Sequence, residues 1–435
     1  MIGSSPPPAA ARVDRRRRLL GSTSALRIPI ASAALALGVA LSGEAYAQTT
    51  VNPNRMTTYT INPASNPITF GPTTIIDTSG TVGADAVLGN AGTNWNVTVQ
   101  GGGLITANRN GVYLTSQSTV TNAGRISGSR GIFIKGGTGS VTNAGTISGT
   151  ITGVALAAGG SVTNQAGGRI SGNYGIGIYG ASGSVTNGGT INGNVGLFSG
   201  GSVRNQAGAT IYGIVVTGGS GSATVTNAGT ITGTRGMAVS FGGTGSNTLI
   251  LQTGSVLNGE AVGSNFPGTK TNALVLQGIG SANNNFRTFN TLDVLASGLW
   301  ALNGISTIGA TTVDSGTLVV GDASHPGAAL TSPVTVNAGG ALAGQGTVIG
   351  DVAVLSGGAI APGAASPFTT LNVTGNASFA SGSFYQVNVN GSTAQSDKLV
   401  LSGTATLTGG SVQPIYSGPP IKGSSFNILH AGEGL

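Results

Sequence analysis

Between residues 119 and 240 the chain alternates apolar and polar positions in short bursts, and the bursts restart about every 21 residues. The phrase Ser/Thr-Val-Thr-Asn, a glycine turn and x-Ile-x-Gly appears as Thr119–Gly128 and again as Ser140–Gly149. Further copies surround Asn164, Asn187, Asn205 and Asn227, so the marker asparagines Asn122, Asn143, Asn164, Asn187, Asn205 and Asn227 are spaced 21, 21, 23, 18 and 22 residues apart. Each copy adds a third apolar segment after glycine, such as Gly131-Ile132-Phe133-Ile134 or Gly175-Ile176-Gly177-Ile178. A period-2 burst is the pattern of a strand with one buried face. Three such strands in a 21-residue repeat predict one coil of a parallel β-helix, each strand pairing with its equivalent one coil away.

The fold class expected is therefore all-β, a right-handed parallel β-helix preceded by an N-terminal signal helix. Val120, Val141, Val162, Val185, Val203 and Val225 should form one inward column, and Ile126, Ile147, Ile170, Ile191, Ile211 and Ile231 another. The repeated asparagines are expected at a turn, in the left-handed conformation that Asn tolerates, with their amides laddering from coil to coil. If everything after residue 47 is coiled, the rod holds roughly 18 coils over about 90 Å.

Composition sharpens this picture. Gly supplies 78 of 435 residues and charged residues only 7%, where a typical soluble domain carries about 25% charged. Helix bundles are excluded by the cost of that much glycine, about 1 kcal/mol per helical position. Disorder is excluded by an apolar share of 39% and a mean hydropathy of +0.24. With no cysteine, disulfides, thiolate metal sites and thiol nucleophiles drop out.

The net charge of +7 belongs largely to the first 47 residues, which hold six arginines beside Asp14 and Glu44. No nucleic-acid partner is expected from it. Arg15–Arg18 give a basic n-region, Ile28–Leu41 an uncharged run too short to span a bilayer, and Ala45-Tyr46-Ala47 a small-x-small cleavage pattern. Cleavage between Ala47 and Gln48 would export a chain that cannot rely on disulfides. The domains read as 1–47 signal peptide, 48–246 repeat-bearing β-helix, and 247–435 a distal region of different texture.

That distal region runs through Asn272–Gly278, Phe289–Asp293, Trp300–Gly304, Thr311–Val320, Ala338–Val348, Gly357–Gly363, Gly382–Val389, Ser396–Val400, Gly403–Val412 and Phe426–Leu429. In this order the phrases resemble the distal passenger region of bacterial autotransporters, the type V secretion proteins of Gram-negative bacteria. Residues 48–246 share only the repeat style. The resemblance implies a segment that caps the β-helix and assists folding during secretion, with Trp300, Phe384, Tyr385 and Phe426 as capping and packing aromatics. It also implies a linker helix and an outer-membrane translocator barrel as partner. The barrel is missing from residues 1–435, so the sequence is expected to be a fragment, or its barrel to be encoded separately or lost. Location at the cell surface, or in the periplasm if no barrel exists, follows from the same resemblance.

Candidate chemistry is sparse. The histidines are His325, in the loop Gly321–Gly327, and His430. Val313-Asp314-Ser315-Gly316 contains a protease-like string inside a repeat turn, and Gly175–Gly180 matches a dinucleotide fingerprint formally but occupies the repeat's turn slot. Acidic residues are dispersed, so no catalytic residue, cofactor or metal is expected. Arg125 and Arg169 occupy one outward slot two coils apart, while Phe133, Tyr179 and Phe198 mark a sparse outward aromatic stripe for sugar or surface contact. The expected function is a non-enzymatic adhesin or self-association rod, meeting a host surface or like passengers by weak multivalent contact. The alternatives are a β-helical polysaccharide-acting enzyme or a truncated, non-functional passenger.

Overall fold

In the computed structural model, residues 48–435 are described, apart from 365, 420–422, 424 and 435. The expected export signal, its helix and the cleavage residues Ala45 and Ala47 lie outside them, and Gln48 is the first described. Alternating apolar residues fold the described chain into an all-β parallel solenoid of the right-handed type with about 15 turns. At one strand spacing per coil this is about 70 Å of rod. The count falls below the expected 18 because several coils exceed the 21-residue repeat: Ile68 aligns with Val97, Val352 with Ala377, and Ala377 with Ala405.

Repetition sets the register. In the first sheet, Ser118–Asn122, Gly139–Asn143, Gly160–Asn164, Gly183–Asn187, Gly201–Asn205 and Ala223–Asn227 stack in parallel, residue on equivalent residue. The expected valine column lies inside, each member at most 1% exposed, and the isoleucine column is fully buried. A third inward column, Ile132, Val154, Ile176, Val195, Val215 and Val239, closes the core from the opposite side. Burying one such side chain contributes about 1.5–3 kcal/mol. The stability of the stack is therefore spread over every coil contact rather than gathered in one centre.

The expectation of three strands per coil needs correction. The second and third segments merge into single kinked strands, Arg125–Ile134, Thr146–Leu156 and Arg169–Ile178. Their pairing slips at the corner, between Gly128 and Arg130 and between Ser148 and Thr152. Gly128-Ser129 acts as a bulge, which bends a strand without ending it. The segments stay separate one coil earlier, as Leu104–Ala107 and Asn110–Leu114, and again where Gly213 takes φ 153°, as Thr210–Tyr212 and Val215–Thr217.

The stack continues without a break through residue 247, Ala223–Asn227 pairing with Asn247–Leu251 and that with Asn272–Leu276. From Ile305 onward a separate ladder forms the third side, through Leu330, Val348, Val373, Leu401 and Ala431. The final first-sheet rung, Ser411–Ser417, is exposed along its whole length.

Candidate functional site

The six repeat asparagines end their strands, where the chain turns from the first sheet into the second. All are buried, and their amides form a directed chain. Asn122 Nδ2 donates to Asn143 Oδ1 at 2.8 Å, Asn143 to Asn164 at 2.8 Å, Asn164 to Asn187 at 2.9 Å, Asn187 to Asn205 at 2.9 Å and Asn205 to Asn227 at 2.9 Å. Each Nδ2 also reaches carbonyls of its own turn and of the next coil, as Asn164 does with Gly168 (3.0 Å) and Thr190 (3.2 Å). The expected left-handed backbone is not found at these asparagines: among the described residues, the non-glycine positions with positive φ are Arg235, Thr288, Phe368 and Ala394. An asparagine still inside its strand keeps extended geometry, and the glycine-containing turn after it absorbs the change of direction.

The chain of amides has two different ends. Val99 occupies the slot one coil before Asn122, so Asn122 Oδ1 is buried without a hydrogen-bond partner. At the other end Asn227 Nδ2 donates to Ser255 Oγ at 2.7 Å. Sequence reading missed a second pair, Asn247 donating to Asn272 at 2.9 Å, at the starts of their strands. Its signal was the repeated phrase Asn247-Thr248-Leu249-Ile250-Leu251 and Asn272-Ala273-Leu274-Val275-Leu276.

The aromatics assigned to capping divide by position. Trp300 is wholly buried with a coil on either side, its indole N–H donating to Gln277 O at 3.0 Å, so it packs the interior rather than closing an end. Phe384 faces outward, half-buried, beside the buried Tyr385, whose hydroxyl donates to the Ile428 carbonyl. Burial pushes that hydroxyl's pKa upward. Phe426 packs on the core near the last rung.

Two outer surfaces carry ordered chemistry. On the flat first sheet, Thr119, Ser140, Ser161, Ser184, Ser202, Thr224 and Thr248 form one hydroxyl row. Thr121, Thr142, Thr163 and Thr186 form another beside it. On the second sheet the outward slot runs Tyr113, Phe133, Ala155, Gly177, Gly196. Tyr113 and Phe133 stack at 5.3 Å and 16°. Over the next rungs, Tyr179 and Phe198 reach back two residues to cover the glycines: a Cβ on Gly177 would meet the Tyr179 ring, and one on Gly196 the Phe198 ring. Those rings stack at 4.6 Å and 5°, and Tyr174 meets Phe198 edge-on at 5.8 Å. Arg109 and Arg130 lie over Tyr113 and Phe133, 5.8 and 5.0 Å from the ring centres. The sequence marked Phe133, Tyr179 and Phe198; it missed Tyr113, Tyr174 and both cations, each cation lying three or four residues before the ring it covers. Arg125 and Arg169 stand exposed in one slot, with Thr146 between them.

Ionisable groups elsewhere are few. Asp85 is 5% exposed and accepts from Arg109 and from the Asn110 backbone and side chain, which fastens an early coil. His325 Nδ1 lies 2.7 Å from Asp322 Oδ1, and Asp322 Oδ2 accepts from Asn303 at 2.7 Å. Burial raises the Asp322 pKa, but the hydrogen bonds from His325, Asn303 and the Ser324 amide outweigh it and leave the carboxyl below its usual range. Ser315 Oγ donates to Ala296 O and Asp314 accepts from Asn337, so the protease-like string is engaged in coil-to-coil bonds. Gly175–Ile178 is strand, and His430 is exposed on a final short strand. Among the described residues no cluster of three or more His, Asp or Glu is placed to hold a metal ion.

Asp293 gives a pH-dependent prediction. Burial, then the neighbouring Asp314, raises its pKa. A carboxyl held above its ordinary value supports folding only while protonated, so that support fades as pH rises through the raised pKa. Asp293→Asn is expected to raise the urea midpoint at pH 7 and leave it unchanged at about pH 3, below the ordinary carboxylate range. Equal shifts at both pH values would show that the charge is not the cause.

Comparison with protein-family models and with curated proteins gives no match to this chain.

Proposed function

We propose that the chain is the exported passenger of an autotransporter-like surface protein, a non-enzymatic rod that joins neighbouring rods or cells by weak, repeated contacts. The observation that carries this reading is the flat hydroxyl surface of the first sheet, where Ser and Thr recur in register over seven coils from Thr119 to Thr248. A single hydroxyl contact contributes little in water. A row repeated at one strand spacing lets two rods meet at many points at once, and the contacts multiply. The basic leader with its Ala45/Ala47 pattern supports export, and the distal phrases support a translocator barrel as partner.

The test is self-association of the purified rod by sedimentation velocity. Concentration-dependent association is expected, and Thr142→Lys, Thr163→Lys and Thr186→Lys together should abolish it, because three like charges on one flat face repel their copies in a facing rod. Glycan cleavage by the purified rod would instead favour the polysaccharide-acting alternative.

A further inference from the structure

We propose that the aromatic row around Arg130 is a binding surface for an acidic polysaccharide, with the stacked rings giving the sugar chain an apolar strip to pack on and the Arg130 guanidinium receiving a uronate carboxylate. The inference rests on the reading of the rod as an exposed contact structure and names a ligand for its second face.

The row holds two platforms. Tyr113 and Phe133 form the first, and Tyr174, Tyr179 and Phe198 the second. They stand two coils apart, about 10 Å, across the small residue Ala155. Stacked on one another over the backbone of Gly177 and Gly196, the rings of Tyr179 and Phe198 make an apolar strip against which the C–H groups of successive pyranoses can pack. The hydroxyls of Tyr113, Tyr174 and Tyr179 add polar contacts along its length.

Charge complementarity selects the ligand. Arg109 is committed to Asp85 by two hydrogen bonds. Arg130, one coil on, lies over Phe133 and enters no ion pair among the described residues. Its charge reaches the second platform, where it works against the burial that raises the Tyr179 pKa. A planar guanidinium beside aromatic faces binds a carboxylate through two parallel hydrogen bonds. A single-stranded nucleic acid would bring one phosphate per base and needs a basic groove along the backbone. One uncommitted arginine beside five rings fits a chain whose charge is sparser.

The experiment is affinity electrophoresis of the purified chain in gels containing polygalacturonate, uncharged dextran or poly(dT). Retardation by polygalacturonate alone is expected. Arg130→Ala should weaken it about tenfold, the loss of one charge-assisted contact, and Phe198→Ala should weaken it as well. Arg169→Ala, the same charge change in another slot, should leave it intact. Circular dichroism of the variants should match that of the parent chain. No retardation, equal retardation by dextran or poly(dT), or an equal loss with Arg169→Ala would overturn the proposal. Rods that self-associate but ignore the polymer would sink this inference alone. Rods that bind the polymer but do not self-associate would sink the self-association reading and leave this one standing.

Discussion

Asn164→Ala is expected to lower the unfolding free energy by about 3–5 kcal/mol. Asn164 sits in the middle of the amide chain: its Oδ1 accepts from Asn143, and its Nδ2 serves Asn187 Oδ1 and the carbonyls of Gly168 and Thr190. Truncation takes a donor from those carbonyls and removes the acceptor of the Asn143 amide. Each buried group left unsatisfied costs about 1–3 kcal/mol. Asn122→Ala should cost visibly less, because no asparagine precedes it and its own oxygen is already unpartnered. Guanidinium denaturation of the two variants checks the order. In a stack held by neighbour contacts the damage should also be local, with faster hydrogen exchange in Asn143, Asn187 and their strands before the distal coils respond. Equal losses for the two variants would mean that the amides act singly rather than as a chain.

Gly160→Ala should be comparably severe although it adds one methyl group. Gly160 opens its strand at φ 127°, where a Cβ would lie 2.0 Å from the Gly139 carbonyl oxygen and 2.7 Å from the Gly139 nitrogen. Gly201, two coils on, has φ 125° and the same conflict with the Gly183 carbonyl. A side chain at such φ costs about 1–3 kcal/mol in backbone strain alone. The coil must also move away from its neighbour, so a total of at least about 3 kcal/mol is expected. Gly218, with nothing within 4 Å of an added Cβ, is the control, and its alanine variant should be near neutral. Thermal unfolding of the pair checks the contrast.

The two sites also show what can be read from residues in order. The valine and isoleucine columns were visible because an inward position must be apolar in every coil, which writes a period into the chain. The marker asparagines were visible for the same reason. Their backbone conformation was not, since Asn tolerates several geometries and the neighbouring glycine absorbed the turn. The kinked strands were hidden because Gly128-Ser129 reads as a turn, yet its backbone still pairs across coils. The aromatic row was half hidden. Its slot reads Tyr113, Phe133, Ala155, Gly177, Gly196, a row that fades to glycine, while the covering rings come from Tyr179 and Phe198 two residues later. Glycine there leaves the space that those rings occupy.

Surface exposure decides whether these faces can act as proposed, and protease shaving of intact producing cells tests it most directly. An epitope inserted at Gly218 is expected to be stripped from whole cells while a periplasmic marker survives, and the released chain is expected to begin at Gln48. An epitope that is lost only after the outer membrane is permeabilised would place the rod inside the envelope, where neither face could meet a neighbouring cell.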